Sequence, residues 1–296
     1  MVIRDAVVGG FPATLGDPGL LRRSVALHGV TVEVVAPLEP FAAPLALLLA
    51  GYPPAAKAVA PHFRVSVLPS KQSEAWEVVV DGVSLGPTFE VETVARQVEW
   101  ACADEMLRRL SGFVHVHAAI VATSAQSMLI VGQSGQGKST TAVGLAQAGL
   151  TIFTDDVALV EHHTLRPYSF PRPIKLDDKS RMLLERSGLV IPPESRVGES
   201  IDRTVIPGLA SSDTPGPPVK KAVFLSVDRG SRPELHTLTA AEALLRTVRQ
   251  SATERFTDSG PSSSVLAFVN ALQCYELVVG DFQETVCLLV ALARDL

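Results

Sequence analysis

The run Gly132-Gln133-Ser134-Gly135-Gln136-Gly137-Lys138-Ser139 constrains this chain more than any other. It fits G-x-x-x-x-G-K-[ST], a loop whose backbone N–H groups cradle phosphate. The apolar run Met128–Val131 before it reads as a buried strand. Thr140 to Ala148 after it reads as a helix, with Ala142, Val143, Leu145 and Ala146 apolar. A strand, a glycine loop and a helix N-terminus in that order make an anion site. Gly132 through Thr140 are therefore the candidate nucleotide contacts. Lys138 is expected to reach the β- and γ-phosphates and Ser139 to hold Mg²⁺.

At 296 residues the chain has room for one large domain or two smaller ones, and 47% hydrophobic residues supply a sizeable core. A net charge of −5 gives no basic excess, which argues against nucleic acid or an anionic membrane as partner. Cys102, Cys274 and Cys287 show neither metal spacing nor a disulfide framework and read as reduced thiols. The N-terminus lacks a signal-peptide pattern, and the apolar run Phe41–Ala50 is too short, and broken by Pro44, to span a bilayer. These features predict a cytoplasmic protein.

Residues 1–110 read as an accessory α/β region, a candidate for substrate recognition, and 111–296 as the nucleotide-binding domain. In the first, Val30–Val35, His62–Leu68, Ala75–Val80 and Val83–Leu85 have strand character, and Asp81-Gly82 is a tight-turn pair. Prolines punctuate the chain between residues 37 and 61, leaving one or two helical turns at Leu45–Ala50. Val91, Val94, Val98, Cys102, Met106 and Leu110 form one helical stripe. In the second region, Phe113–Val121 reads as a single strand making a hairpin with the strand that feeds the loop. Leu150–Thr154 is a strand ending at Asp155-Asp156, and Asp177–Arg186 is helical. Ser211–Pro218 is a strong loop signal and a candidate lid. Strands follow at Ala222–Val227 and Tyr275–Val279. Helices start at the Thr239–Glu242 capping box, at Pro261 and at Asp281.

Asp155 and Asp156 follow Lys138 by 17 and 18 residues, at the end of the strand after the loop helix. Strand ends beside such a loop are where an α/β sheet presents ligands. One carboxylate can bind Mg²⁺ and the other can accept a proton from a substrate hydroxyl. His117 either points at the γ-phosphate or is a satisfied structural histidine. Arg172 and Lys175, flanking Pro173, either neutralise charge on a transferring phosphoryl group or are surface cations. His162-His163 reads as a surface turn, and Lys220-Lys221 as solvated.

His115-Val116-His117-Ala118, the loop, and Phe153-Thr154-Asp155-Asp156-Val157 together resemble the HPr kinase/phosphorylase family. The resemblance implies the α/β fold shared with phosphoenolpyruvate carboxykinase. It is more specific to the HPr-kinase-related proteins of bacterial ribosomal-peptide gene clusters, where Phe170-Pro171-Arg172-Pro173-Ile174-Lys175 resembles a recurring motif. It covers residues 115–175 and is absent from the N-terminal region. By this resemblance Asp155 is the proton acceptor, Asp156 a Mg²⁺ contact (or the reverse), and His117 an active-site residue. The chain departs from the family at Gly198–Gly208, which does not match the segment used for phosphorolysis and HPr docking.

The expectation is an ATP- and Mg²⁺-dependent kinase that phosphorylates a hydroxyl of a peptide or protein. A small-molecule acceptor, or a catalytically silent nucleotide-binding regulator, is the alternative. A homo-oligomer is compatible with the sequence.

Overall fold

The computed structural model describes residues 19–56, 59–71, 74–188, 203–206, 214–227, 232–249 and 263–295. The described residues fall into two compact units, one reaching Ser111 and the other starting at Gly112.

The first unit is a five-stranded sheet with two helices. Strands β1 (Leu20–Leu27) and β2 (Val30–Pro37) form a hairpin, and β3 (Phe63–Pro69) runs parallel to β2. A parallel pair needs a crossover, which helix α1 (Leu38–Leu48) supplies. Strands β4 (Trp76–Val80) and β5 (Val83–Thr88) complete the order β1-β2-β3-β4-β5. Strand alternation buries Val32, Val34, Val65, Val67 and Val78, while Glu33 and Arg64 pair in solvent at 2.6 Å. Helix α2 (Val91–Arg109) covers the buried face with Val94, Val98, Cys102 and Met106. The span 38–48 is kinked near its start, and its continuous helical part begins before the expected Leu45. Its non-helical angles are confined to Glu39 and Pro40, and Pro44 is carried inside it.

The second unit opens with β6 (Phe113–Val116), β7 (Ala118–Ala122) and β8 (Ser127–Val131). Helix α3 (Lys138–Gln147), β9 (Thr151–Thr154), β10 (Ala158–Glu161), β11 (Pro167–Tyr168), β12 (Ile174–Asp177) and α4 (Asp178–Arg186) follow. The remaining elements are β13 (Arg203–Ile206), β14 (Val219–Val227), β15 (Glu234–Thr237), α5 (Ala240–Arg249), α6 (Ser263–Asn270), β16 (Gln273–Val279) and α7 (Phe282–Arg294). Six strands form a mixed sheet, β15-β16-β14-β8-β7-β9. Its centre is parallel, with β14 between β16 and β8. Ala118, Ile120, Leu129, Val131, Ala222 and Phe224 share a core with Ala243 of α5 and Val265 and Phe268 of α6.

The single strand expected over Phe113–Val121 is in fact two. β6 pairs with β10 in a three-stranded sheet, β11-β10-β6, whereas β7 pairs with β8 and β9 in the larger one. The chain changes sheet at His117. It changes again between β9 and β10, at Asp155-Asp156-Val157. The flanking registers, Ile120 opposite Thr154 and Val116 opposite Ala158, bring both changes to one seam.

The loop expected to form a lid is only partly described. Residues 207–213 lie outside the described residues, and Thr214–Pro218 are held down. Gly216 donates its N–H to the Pro167 carbonyl at 2.8 Å, and the Ser127 hydroxyl donates to the Pro217 carbonyl at 2.6 Å. A Cβ at Gly216 would stand 2.6 Å from Phe153. Lys221, expected in solvent, is buried at the far end of the sheet. It donates to the Leu292 carbonyl at 2.7 Å and pairs with Asp295. The mismatch at Gly198–Gly208 falls largely outside the described residues. No described helix is long and apolar enough to cross a membrane.

Candidate active site

The glycine loop connects β8 to α3. Gly135 and Gly137 have φ of +83° and +90°, a region open to glycine at little cost, so the loop can turn its amides inward. Gly137 is the N-cap of α3 and no side chain caps that end. The first-turn N–H groups of a helix left in this way suit an anion. Gly132, Gln133 and Gln136 brace the loop from within. Gln136 Oε1 accepts from the Gln133 N–H at 2.6 Å, and a Cβ on Gly132 would meet that oxygen at 2.9 Å. Lys138 is buried, and its ammonium donates to the carbonyls of Gly132 at 2.6 Å and Gln133 at 3.2 Å. Burial lowers the Lys138 pKa, against the opposing pull of Asp156 and Asp155.

The two carboxylates at the seam have different surroundings. Asp155 is 6% exposed, and both it and Ser139 line the cleft beside the loop. Burial, reinforced by neighbouring Asp156, pushes its pKa up to about 6, against the opposing influence of the Ser139 hydroxyl and Arg172. Asp156 is half-buried. His117 Nδ1 contacts its Oδ1 at 3.1 Å, and Arg172 pairs with its Oδ2. Burial opposes ionisation of Asp156, but the His117 hydrogen bond and the charges of Arg172, His117 and Lys175 outweigh it and hold the carboxyl well below its usual range.

Arg172 owes its position to the segment before it. Phe170 is fully buried and its N–H donates to the Phe153 carbonyl at 3.2 Å, which fixes the chain beside the end of β9. β12 then carries Lys175. His117, Ser134, Gly135, Gly137, Lys138, Ser139, Thr140, Asp155, Asp156, Arg172 and Lys175 all line one cleft of about 360 Å³. Asp177 and Ser180 line it too, and the sequence reading gave them no role. The signal was a helix cap: Asp177 Oδ1 accepts from the Ser180 N–H at 2.7 Å at the start of α4.

Hydroxyl and carboxylate oxygens suit a hard cation such as Mg²⁺. Among the described residues, no group of three or more His, Cys, Asp and Glu could hold a metal ion by itself. The donor set at Ser139 and the acid pair fits a Mg²⁺ that takes its remaining ligands from phosphate and water.

No protein-family model matches this chain. A stretch of 58 residues, 20% of the chain, is 40% identical to the HPr kinase/phosphorylase of Mycoplasmopsis pulmonis (strain UAB CTIP). The match spans 19% of that relative's length. It supports an HPr-kinase-like relationship, and with it a kinase-like function.

Proposed function

We propose that this protein is an ATP- and Mg²⁺-dependent kinase that transfers the γ-phosphoryl group to a hydroxyl, and that its nucleotide domain has the fold shared by HPr kinase and phosphoenolpyruvate carboxykinase. The observation that carries the reading is the convergence of Lys138, Ser139, Asp155 and the Asp156–His117–Arg172 group on one cleft. Asp155 takes the proton of the attacking hydroxyl as its oxygen bonds to phosphorus and the bond to the β-phosphate oxygen breaks. Lys138 and the loop amides hold the charge of the phosphates, and Arg172 and Lys175, which line the same cleft, add further positive charge. Ser139 and Asp156 would hold Mg²⁺, which supplies positive charge against the phosphate oxygens.

The acceptor in this reading is Ser or Thr of a peptide or protein, by resemblance to the HPr-kinase-related proteins of ribosomal-peptide gene clusters. A small-molecule hydroxyl is the alternative. The test is transfer from γ-labelled ATP with Mg²⁺ to peptides encoded beside the gene. Asp155→Asn is expected to lower transfer by about 10²–10⁴-fold and leave nucleotide affinity nearly unchanged. Full transfer by this variant would remove Asp155 from the chemistry.

One observation favours exchanging the carboxylate roles: the Ser139 hydroxyl is close enough to Asp155 to favour its ionised form. If Asp155 is the metal contact, Asp155→Asn raises the Mg²⁺ concentration needed for half-maximal nucleotide binding, and Asp156→Asn does not.

A further inference from the structure

We infer that the Ser180 hydroxyl is a positioning group that ties the strand carrying Lys175 to the phosphate-loop helix. β12 lies outside the six-stranded sheet and pairs with β13 in a two-stranded one. A two-stranded ribbon is marginal by itself and takes its placement from what it packs on. Ile174, Leu176 and Leu184 are buried and hold the ribbon by apolar contact. Apolar contact is non-directional and does not set the position of the Lys175 side chain, on the other face of β12, to a few tenths of an ångström.

A directional link is present at the cleft. The Thr140 hydroxyl, on the first turn of α3, donates to Ser180 Oγ at 2.8 Å. Ser180 in turn donates its N–H to Asp177 Oδ1 at 2.7 Å, locking the joint between β12 and α4. Asp177 ends β12, and Lys175 precedes it by two residues on the same face. The connection therefore runs from the loop helix through Thr140, Ser180 and Asp177 to Lys175. Its catalytic consequence rests on the kinase reading above; the tie itself does not.

Two measurements on full-length protein test it. Hydrogen exchange without ligand is compared for wild type and Ser180→Ala. Exchange of the β12 and α4 amides is expected to speed up while that of β8 and β14 is unchanged. Identical exchange overturns the tie. Transfer is then measured with γ-labelled ATP, Mg²⁺ and an array of Ser- and Thr-containing peptides. Ser180→Ala is expected to lower kcat about ten-fold with little change in KM for ATP, and Ser180→Thr, which keeps the hydroxyl, to restore it. Because Ser180 acts through Lys175, Ser180→Ala with Lys175→Ala should be no slower than Lys175→Ala alone. Multiplying effects overturn the connection to Lys175. Wild-type protein that exchanges as expected but transfers nothing overturns the kinase reading and leaves the tie standing.

Discussion

Nδ1 of His117 stands 3.1 Å from Oδ1 of Asp156, across the seam where two neighbouring stretches of chain leave one sheet for another. An ionised carboxylate only accepts, so this nitrogen carries a proton, and the bond is charge-assisted.

Removing that donor has a defined expected result. Hydrogen bonds to charged groups contribute about 1.5–3 kcal/mol. His117→Ala should therefore lower kcat by about ten- to a hundred-fold through misplacement of Asp156, with nucleotide affinity nearly intact. Titration calorimetry beside a transfer assay checks the split. Unchanged kcat would return His117 to a purely structural role.

Lys138→Ala should weaken nucleotide binding at least ten-fold, since it removes the buried ammonium that sits at the head of the loop. Fluorescent-nucleotide titration measures it. Affinity equal to wild type would disprove the phosphate-loop assignment.

The residues that meet at the cleft were legible as a group because they lie close in sequence: the loop, its flanking strand and helix, and the acid pair fall within 30 residues of one another. The break at His117 was not legible. Phe113 to Val121 is a continuous strand-like run, and nothing in its period marks where one partner strand replaces another. β15 escaped notice because Glu234–Thr237 is largely exposed and lacks apolar alternation. Lys221 was misread for a different reason. A Lys-Lys pair ordinarily stays in water, and the groups that satisfy this lysine come from residues 292 and 295, at the other end of the domain.

Lys221 and Gln126 together hold the C-terminal end of α7. Gln126 donates to the Ala293 carbonyl at 3.0 Å and to Asp295 at 2.7 Å. A cation at a helix C-terminus also complements its dipole. Lys221→Met should cost about 1.5–3 kcal/mol, the loss of a hydrogen bond from a charged donor, read as a lower urea midpoint. The Lys221 hydrogen bond holds the Asp295 carboxyl below its ordinary value, against a smaller opposing effect of burial. Its contribution is thus present above the unfolded-state pKa and lost as pH falls through the folded one. The difference in stability between wild type and Lys221→Met should shrink in acid.

Thiol labelling reports both units at once. Cys102 and Cys274 are buried and Cys287 is exposed. Burial raises the Cys102 pKa and pushes that of Cys274 up to about 11. Since the thiolate is the reactive form, one of the three cysteines should react quickly in the folded protein and all three in denaturant. Fast labelling of Cys102 would contradict the packing of α2 on its sheet.

At Gly144 α3 and α7 approach closely. A Cβ there would lie 2.6 Å from Phe282 Cζ and 2.9 Å from Val286 Cγ2. On propensity alone, Gly→Ala inside a helix gains about 1 kcal/mol. Overpacking of a closed contact costs about 1–3 kcal/mol, so the steric effect should win. Phe282 opens α7, and its ring is the part that must yield. Gly144→Ala is therefore expected to lower the melting temperature, and adding Phe282→Leu, which removes the clashing ring atoms, should recover part of the loss. Gly112 is the control: nothing lies within 4 Å of its Cβ position, so Gly112→Ala should leave stability nearly unchanged. A Gly144→Ala variant more stable than wild type would mean that the two helices do not meet as described.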